Sequence, residues 1–92
     1  PMALHRAKVT VMDHNGLHAR PAGQLVKLVN DSGLLVRIGR AGEELVSANS
    51  PLRVMALKAK QSDELLIEIE SDNPAAAEAL VIAMQLALEE SK

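Results

Sequence analysis

The sequence contains no cysteine and no phenylalanine, tyrosine or tryptophan. Without cysteine there is no disulfide, no thiolate metal site and no thiol nucleophile, so stability rests on packing and nothing points to an oxidising compartment; a cytoplasmic location is expected. Without aromatic rings there is no platform on which bases stack, and the basic residues are scattered, which argues against a nucleic-acid partner. Long apolar runs are missing too. The longest uncharged stretch near the C-terminus, Ala79 to Leu88, falls far short of the roughly 20 residues that cross a bilayer, so no membrane insertion is expected. The first dozen residues lack the apolar centre and cleavage pattern of a secretory signal. Pro1-Met2 reads as a cloning remnant, and Pro1 to His5 as a disordered tail. No G-x-S-x-G elbow is present, which removes the common serine-hydrolase reading.

What remains is a chain of 92 residues, enough for one compact domain and too few for two. A net charge of −2 hides an uneven distribution. Residues 1–40 carry six basic and two acidic side chains, whereas residues 41–92 carry four basic and ten acidic ones. The front half is therefore the electropositive one, a bias that suits an acidic partner or a phosphate.

Hydrophobic periodicity divides the chain into seven elements. Arg6 to Asp13 alternates, with Ala7, Val9 and Val11 on one face, and predicts a half-buried strand. After a turn at Asp13-His14-Asn15-Gly16, the spacing of Ala22, Leu25, Val26 and Val29 predicts an amphipathic helix from Ala19 to Asn30, closed by Asp31-Ser32-Gly33. Leu34 to Arg40 and Glu43 to Ser47 flank Ala41-Gly42 as a β-hairpin. Ser50-Pro51 pairs a capping residue with a proline suited to the first helical position, so a short helix is expected from Pro51 to about Lys58. Glu64 to Glu70 alternates again, with Leu65, Ile67 and Ile69 on one face. Asn73-Pro74 repeats the cap signal before a last helix whose stripe is Ala76, Leu80, Ala83, Met84, Ala87 and Leu88 and whose end falls near Glu90. The order β-α-β-β-α-β-α predicts an α+β open-faced sandwich, an antiparallel sheet of four strands with three helices on one face and an aliphatic core.

Of the three histidines, His5 falls in the expected tail and His14 in a turn, and both read as solvated side chains. His18 stands apart, at the start of the first helix in Gly16-Leu17-His18-Ala19-Arg20-Pro21-Ala22. The first turn of a helix offers unpaired amides and a partial positive charge that favours a dianion such as a phosphoryl group. The same field disfavours a cationic imidazole, and a neutral ring has a free lone pair with which to act as a nucleophile. Arg20 can pair with phosphate oxygens through its planar fork. Pro21 stiffens the turn, and Gly16 gives the flexible corner leading into it. The plainer alternative is a half-exposed capping or packing histidine. No second ligand stands at helical spacing around His18, so no metal is expected, and no cofactor is implied.

This heptapeptide resembles the phosphorylation-site signature of HPr, the histidine-containing phosphocarrier of the bacterial phosphoenolpyruvate-dependent sugar phosphotransferase system. The similarity extends from about Ala7 to Glu90, and the family's four-stranded sheet backed by three helices has the element order read above. The resemblance implies that His18 accepts a phosphoryl group on Nδ1 from enzyme I and passes it to the A domains of enzymes II. It implies that Arg20 contacts the active centre, and that the protein is a relay without turnover of its own. Ser47-Ala48-Asn49-Ser50 is similar to the family's second site, in which Ser50 matches a regulatory serine phosphorylated by an ATP-dependent kinase. Pro51, where an aliphatic residue is usual, alters the backbone such a kinase would read, and Ser50 reads better as the cap of the short helix than as a regulatory serine.

A docking surface follows from spacing. Leu52 and Met55, three apart on the short helix, together with Leu17 and Ala19 beside His18, are expected to form an apolar patch rimmed by Arg20, Lys27 and Arg53. Core packing is the alternative for Leu52 or Met55. A regulatory protein binding a transcription factor or enzyme through this face, a nitrogen-branch carrier and a domain of a longer fusion protein are the other functions compatible with the sequence. A monomer is expected.

Overall fold

The structure, a computed structural model, describes residues 2–89. Its elements run β1 (Ala3–Thr10), α1 (Ala19–Ser32), β2 (Leu35–Gly39), β3 (Val46–Ser47), α2 (Pro51–Met55), β4 (Glu64–Ser71) and α3 (Pro74–Ala87). The strands form one sheet in the order β1-β4-β2-β3, every neighbouring pair antiparallel. The expected open-faced α+β sandwich is thus the observed one.

Alternation fixes the register. Val9 stands opposite Leu65, Ala7 opposite Ile67, and Ile67 and Ile69 in turn oppose Ile38 and Val36, so one face of three strands is continuously aliphatic. On the other face Glu68 bridges Arg6 at 3.1 Å and Arg37 at 2.9 Å across the same three strands. A one-residue slip would exchange these faces, which is why the register is firmly specified. The helices supply Leu25, Val29, Val54, Leu80 and Met84 against the aliphatic face. With no aromatic ring available, the largest fully buried side chains are Leu25, Ile38, Leu65, Ile67, Ile69, Met84 and Leu88. Each stabilises the fold by about 1.5–3 kcal/mol relative to exposure.

Several expected boundaries move. β1 starts at Ala3 instead of Arg6, because Ala3, Leu4 and His5 pair with Ser71, Glu70 and Ile69; His5 is a strand residue whose Nε2–H donates to the Ser71 carbonyl at 3.0 Å. Of the expected tail only Met2 and Pro1 precede the strand, and Pro1 lies outside the described residues. β1 stops at Thr10, where Val11 turns its amide to the Asp63 carbonyl at 3.0 Å. α1 continues to Ser32 and closes on Gly33 at φ 70°. β3 is reduced to Val46–Ser47 and its link to β2 is wider than Ala41-Gly42, since pairing begins only at Ile38 and Val46. α2 ends at Met55, and Lys58 takes a left-handed φ of 52° that no helix continues through. α3 ends at Ala87, short of Glu90, which lies outside the described residues; Ala77 replaces Ala76 on its buried stripe.

Candidate functional site

The loop from Val11 to Leu17 carries the site, and backbone contacts from distant elements hold it. The Leu88 carbonyl just past α3 accepts the amides of Met12 and Asp13 at 2.9 and 3.1 Å, and the Ala59 carbonyl accepts that of Leu17 at 3.0 Å. Within the loop, Gly16 N–H closes a turn on the Asp13 carbonyl at 2.9 Å. Gly16 needs its glycine twice over: φ is 72°, and a Cβ would lie 2.6 Å from the Ala59 carbonyl oxygen. The chain then enters α1 with His18 as N-cap, its backbone extended and its side chain making no capping bond. The ring is therefore free of the cap role, while the amides of Ala19 and Arg20 open the helix and Pro21 has none to offer.

The imidazole is instead held from the loop. His18 Nε2 lies 3.2 Å from Asp13 Oδ2, and Arg20 Nη2 donates to the same oxygen at 2.7 Å. Arg20 Nη1 also donates to Gln24 Oε1 at 3.1 Å. Asp13 Oδ1 accepts the Asn15 amide at 2.9 Å, an Asx turn that aims the other oxygen at the ring. The Asp13 side chain is 3% exposed, whereas His18 and Arg20 are 36% and 35% exposed. The Asn15 amide first, then the bonds from His18 and Arg20, hold the Asp13 carboxyl at a pKa of about 2 against the opposing effect of burial. At neutral pH Asp13 is thus an ionised carboxylate with acceptor capacity only, so His18 Nε2 must be the protonated donor of their bond, and in the neutral ring the lone pair is then on Nδ1.

His18 and Arg20 are legible in the sequence at the head of a helix; Asp13 is not, and reads there as a turn residue. The signal was local and weak: an Asp two positions before Asn15 fits an Asx turn, but nothing local announces that its carboxylate is buried under α1. His14, exposed, flanks the group with Nδ1 4.0 Å from Asp13 Oδ1.

The expected docking patch is only partly assembled. Leu17 is 5% exposed and packs in the core, a correction: the Ala59 tether pulls its backbone inward and the side chain follows. Leu52, 76% exposed, and the neighbouring Arg53 stand on the surface of α2, and Ala19 on that of α1. Met55 is half-buried against the core. Lys27 is exposed on α1 and pairs with Asp31 at 2.8 Å on its own helix. Ser50 caps α2 by accepting the Arg53 amide at 3.4 Å.

A family model described as "PTS HPr component phosphorylation site" matches residues 5–86. The chain belongs to the HPr family. Among curated HPr proteins, the phosphocarrier protein HPr of Haloferax volcanii is 40% identical over 70 residues, covering 75% of this chain and 79% of that one. A crystal structure of HPr from Bacillus anthracis superposes with a TM-score of 0.74 at 33% identity, over 88% of this chain and 96% of that one. The histidine-containing phosphocarrier protein of Mycoplasma superposes with a TM-score of 0.75 at 30% identity, over 92% and 98%. The sheet order and the three helices described above are thus those of HPr, and no helix among the described residues is long and apolar enough to cross a membrane.

Proposed function

We propose that this chain is a single HPr-like phosphocarrier domain in which His18 accepts a phosphoryl group on Nδ1 from enzyme I and hands it to the A domains of enzymes II in cytoplasmic steps of sugar uptake. The observation that carries this reading is the Asp13–His18 bond at 3.2 Å. In the neutral ring an ionised partner on Nε2 leaves the lone pair on Nδ1 at the opening of α1, where the amides and dipole of the first turn favour an incoming anion. The Nδ1 lone pair forms the N–P bond as the donor's bond to phosphorus breaks and that electron pair stays with the donor. No proton has to leave Nδ1. Arg20, next but one along the helix, is the cation for the phosphoryl oxygens, and the exposed Ala19, Leu52 and Arg53 with the edge of Met55 are the docking contacts. The protein is a relay rather than a catalyst.

Incubation with phosphoenolpyruvate and enzyme I, followed by intact-mass measurement, tests the reading. The wild type should gain a single acid-labile phosphate and His18→Ala none. Absence of the adduct on the wild type, or its persistence on His18→Ala, overturns it.

A further inference from the structure

The geometry around His18 assigns a task to a residue outside the signature heptapeptide. The two side chains credited with the phosphoryl chemistry meet on one atom, Asp13 Oδ2, while Oδ1 is committed to the Asn15 amide. The two ends of this arrangement differ in freedom. Asp13 is buried, and its own backbone is tied to the Leu88 carbonyl at 3.1 Å and to the Gly16 amide at 2.9 Å. Among the described residues Arg20 is held only by its tip, on Asp13 and Gln24, and a third of its side chain faces solvent. When charge arrives at the site, the guanidinium is the part that can move, and the carboxylate is the part that cannot.

We propose that Asp13 is the positioning residue of the phosphoryl site, keeping the His18 proton on Nε2 and parking Arg20 beside the ring until a phosphoryl group draws the guanidinium across. The inference rests on the phosphocarrier reading and adds a residue to it. Before transfer, the shared oxygen orders the ring and stores the arginine. When the Nδ1–P bond forms as the donor's bond to phosphorus breaks and that electron pair leaves with the donor, Nε2 keeps its proton and the ring becomes cationic, facing the Asp13 carboxylate. The phosphoryl dianion then competes with Oδ2 for Arg20. Asp13 can release the guanidinium because the ring, now charged, and the Asn15 amide still satisfy it. On departure of the phosphoryl group the N–P pair returns to Nδ1, the ring is neutral again and Arg20 goes back to Oδ2. One carboxylate thereby keeps the wrong nitrogen from serving as nucleophile and keeps an arginine from leaving the site between transfers.

Asp13→Asn is the informative variant, since an amide of the same shape can donate to Nε2 as well as accept from it. With the imidazole labelled with 15N, the wild type should show a protonated Nε2 and an unprotonated Nδ1, and Asp13→Asn a mixture of both tautomers. Phosphoryl acceptance should slow severalfold in the variant, with amide resonances outside residues 11–20 unchanged. On the wild type alone, the Arg20 guanidinium resonances should shift on phosphorylation of His18. If the wild type is phosphorylated but the variant keeps both its tautomer and its rate, or if the Arg20 signals do not respond, Asp13 has no such role while the carrier reading stands. A wild type that takes no phosphate fails the earlier reading instead.

Discussion

Gly16 approaches Ala59 so closely that a methyl group on its Cα would sit 2.6 Å from the Ala59 carbonyl oxygen. That oxygen also accepts the Leu17 amide, so it cannot retreat without releasing the loop that leads to His18. Gly16→Ala therefore meets two penalties, a left-handed backbone and a collision with main chain. Gly33, at φ 70° with nothing within 4 Å of the added methyl, meets only the first. Gly33→Ala should lose about 1–2 kcal/mol and Gly16→Ala distinctly more, read from denaturant midpoints. Equal losses would mean that the Ala59 contact yields freely.

The depressed Asp13 carboxyl makes stability depend on acid in a defined window. Its folded pKa of about 2 lies below the ordinary aspartate value of 3.8, so the native state releases this proton more readily than the unfolded chain does. The stabilisation is complete above the unfolded value and is lost as pH falls from about 4 toward about 2. Wild type and Asp13→Asn should differ in unfolding midpoint at pH 5, and the difference should shrink as pH falls across that window. Asp63, lowered by the Lys60 amide and by Arg40, titrates in both proteins and cancels in the comparison. A gap that persists at pH 2 would show that Asp13 acts through something other than its charge.

Ser50 and Asn73 occupy equivalent cap positions, each followed by proline, yet their bonds differ. Ser50 accepts the Arg53 amide at 3.4 Å, near the limit of a hydrogen bond, and Asn73 accepts the Ala76 amide at 3.2 Å. Asn73→Ala should cost about 1 kcal/mol and Ser50→Ala about 0.5 kcal/mol, by thermal or urea unfolding. With the cap role and Pro51 both constraining the backbone, incubation with ATP and the family's serine kinase should leave Ser50 unmodified. An acid-stable phosphate on Ser50 would reverse that assignment.

Features set by neighbouring residues are legible in the sequence, and those set by distant ones are not. Leu65, Ile67 and Ile69 announce their strand through strict alternation, and all three are fully buried. Ala22, Leu25, Val26 and Val29 likewise mark the buried face of α1. His18 at the head of that helix follows from the turn residues before it. Pairing partners were less visible. Ala3 to His5 look like a tail because nothing nearby organises them; the edge of β4 does. Val46–Ser47 keeps only two ladder positions because the preceding loop is wide, a tertiary outcome with no local mark. Asp13 was hidden for the same reason, its burial depending on α1 folding over it and on Leu88 arriving from the far end of the chain.

That arrival couples two ends of the molecule. Gln85, three residues before Leu88, accepts the Thr10 amide at 2.8 Å and donates back to its carbonyl at 2.9 Å, so the last turn of α3 stitches both sides of the junction between β1 and the His18 loop. Fraying of that turn would unfasten the loop, and deuterium uptake at Met12 and Asp13 should keep pace with uptake at the end of α3. A partner that grips α3 from outside would thereby damp fluctuations at the imidazole without touching it.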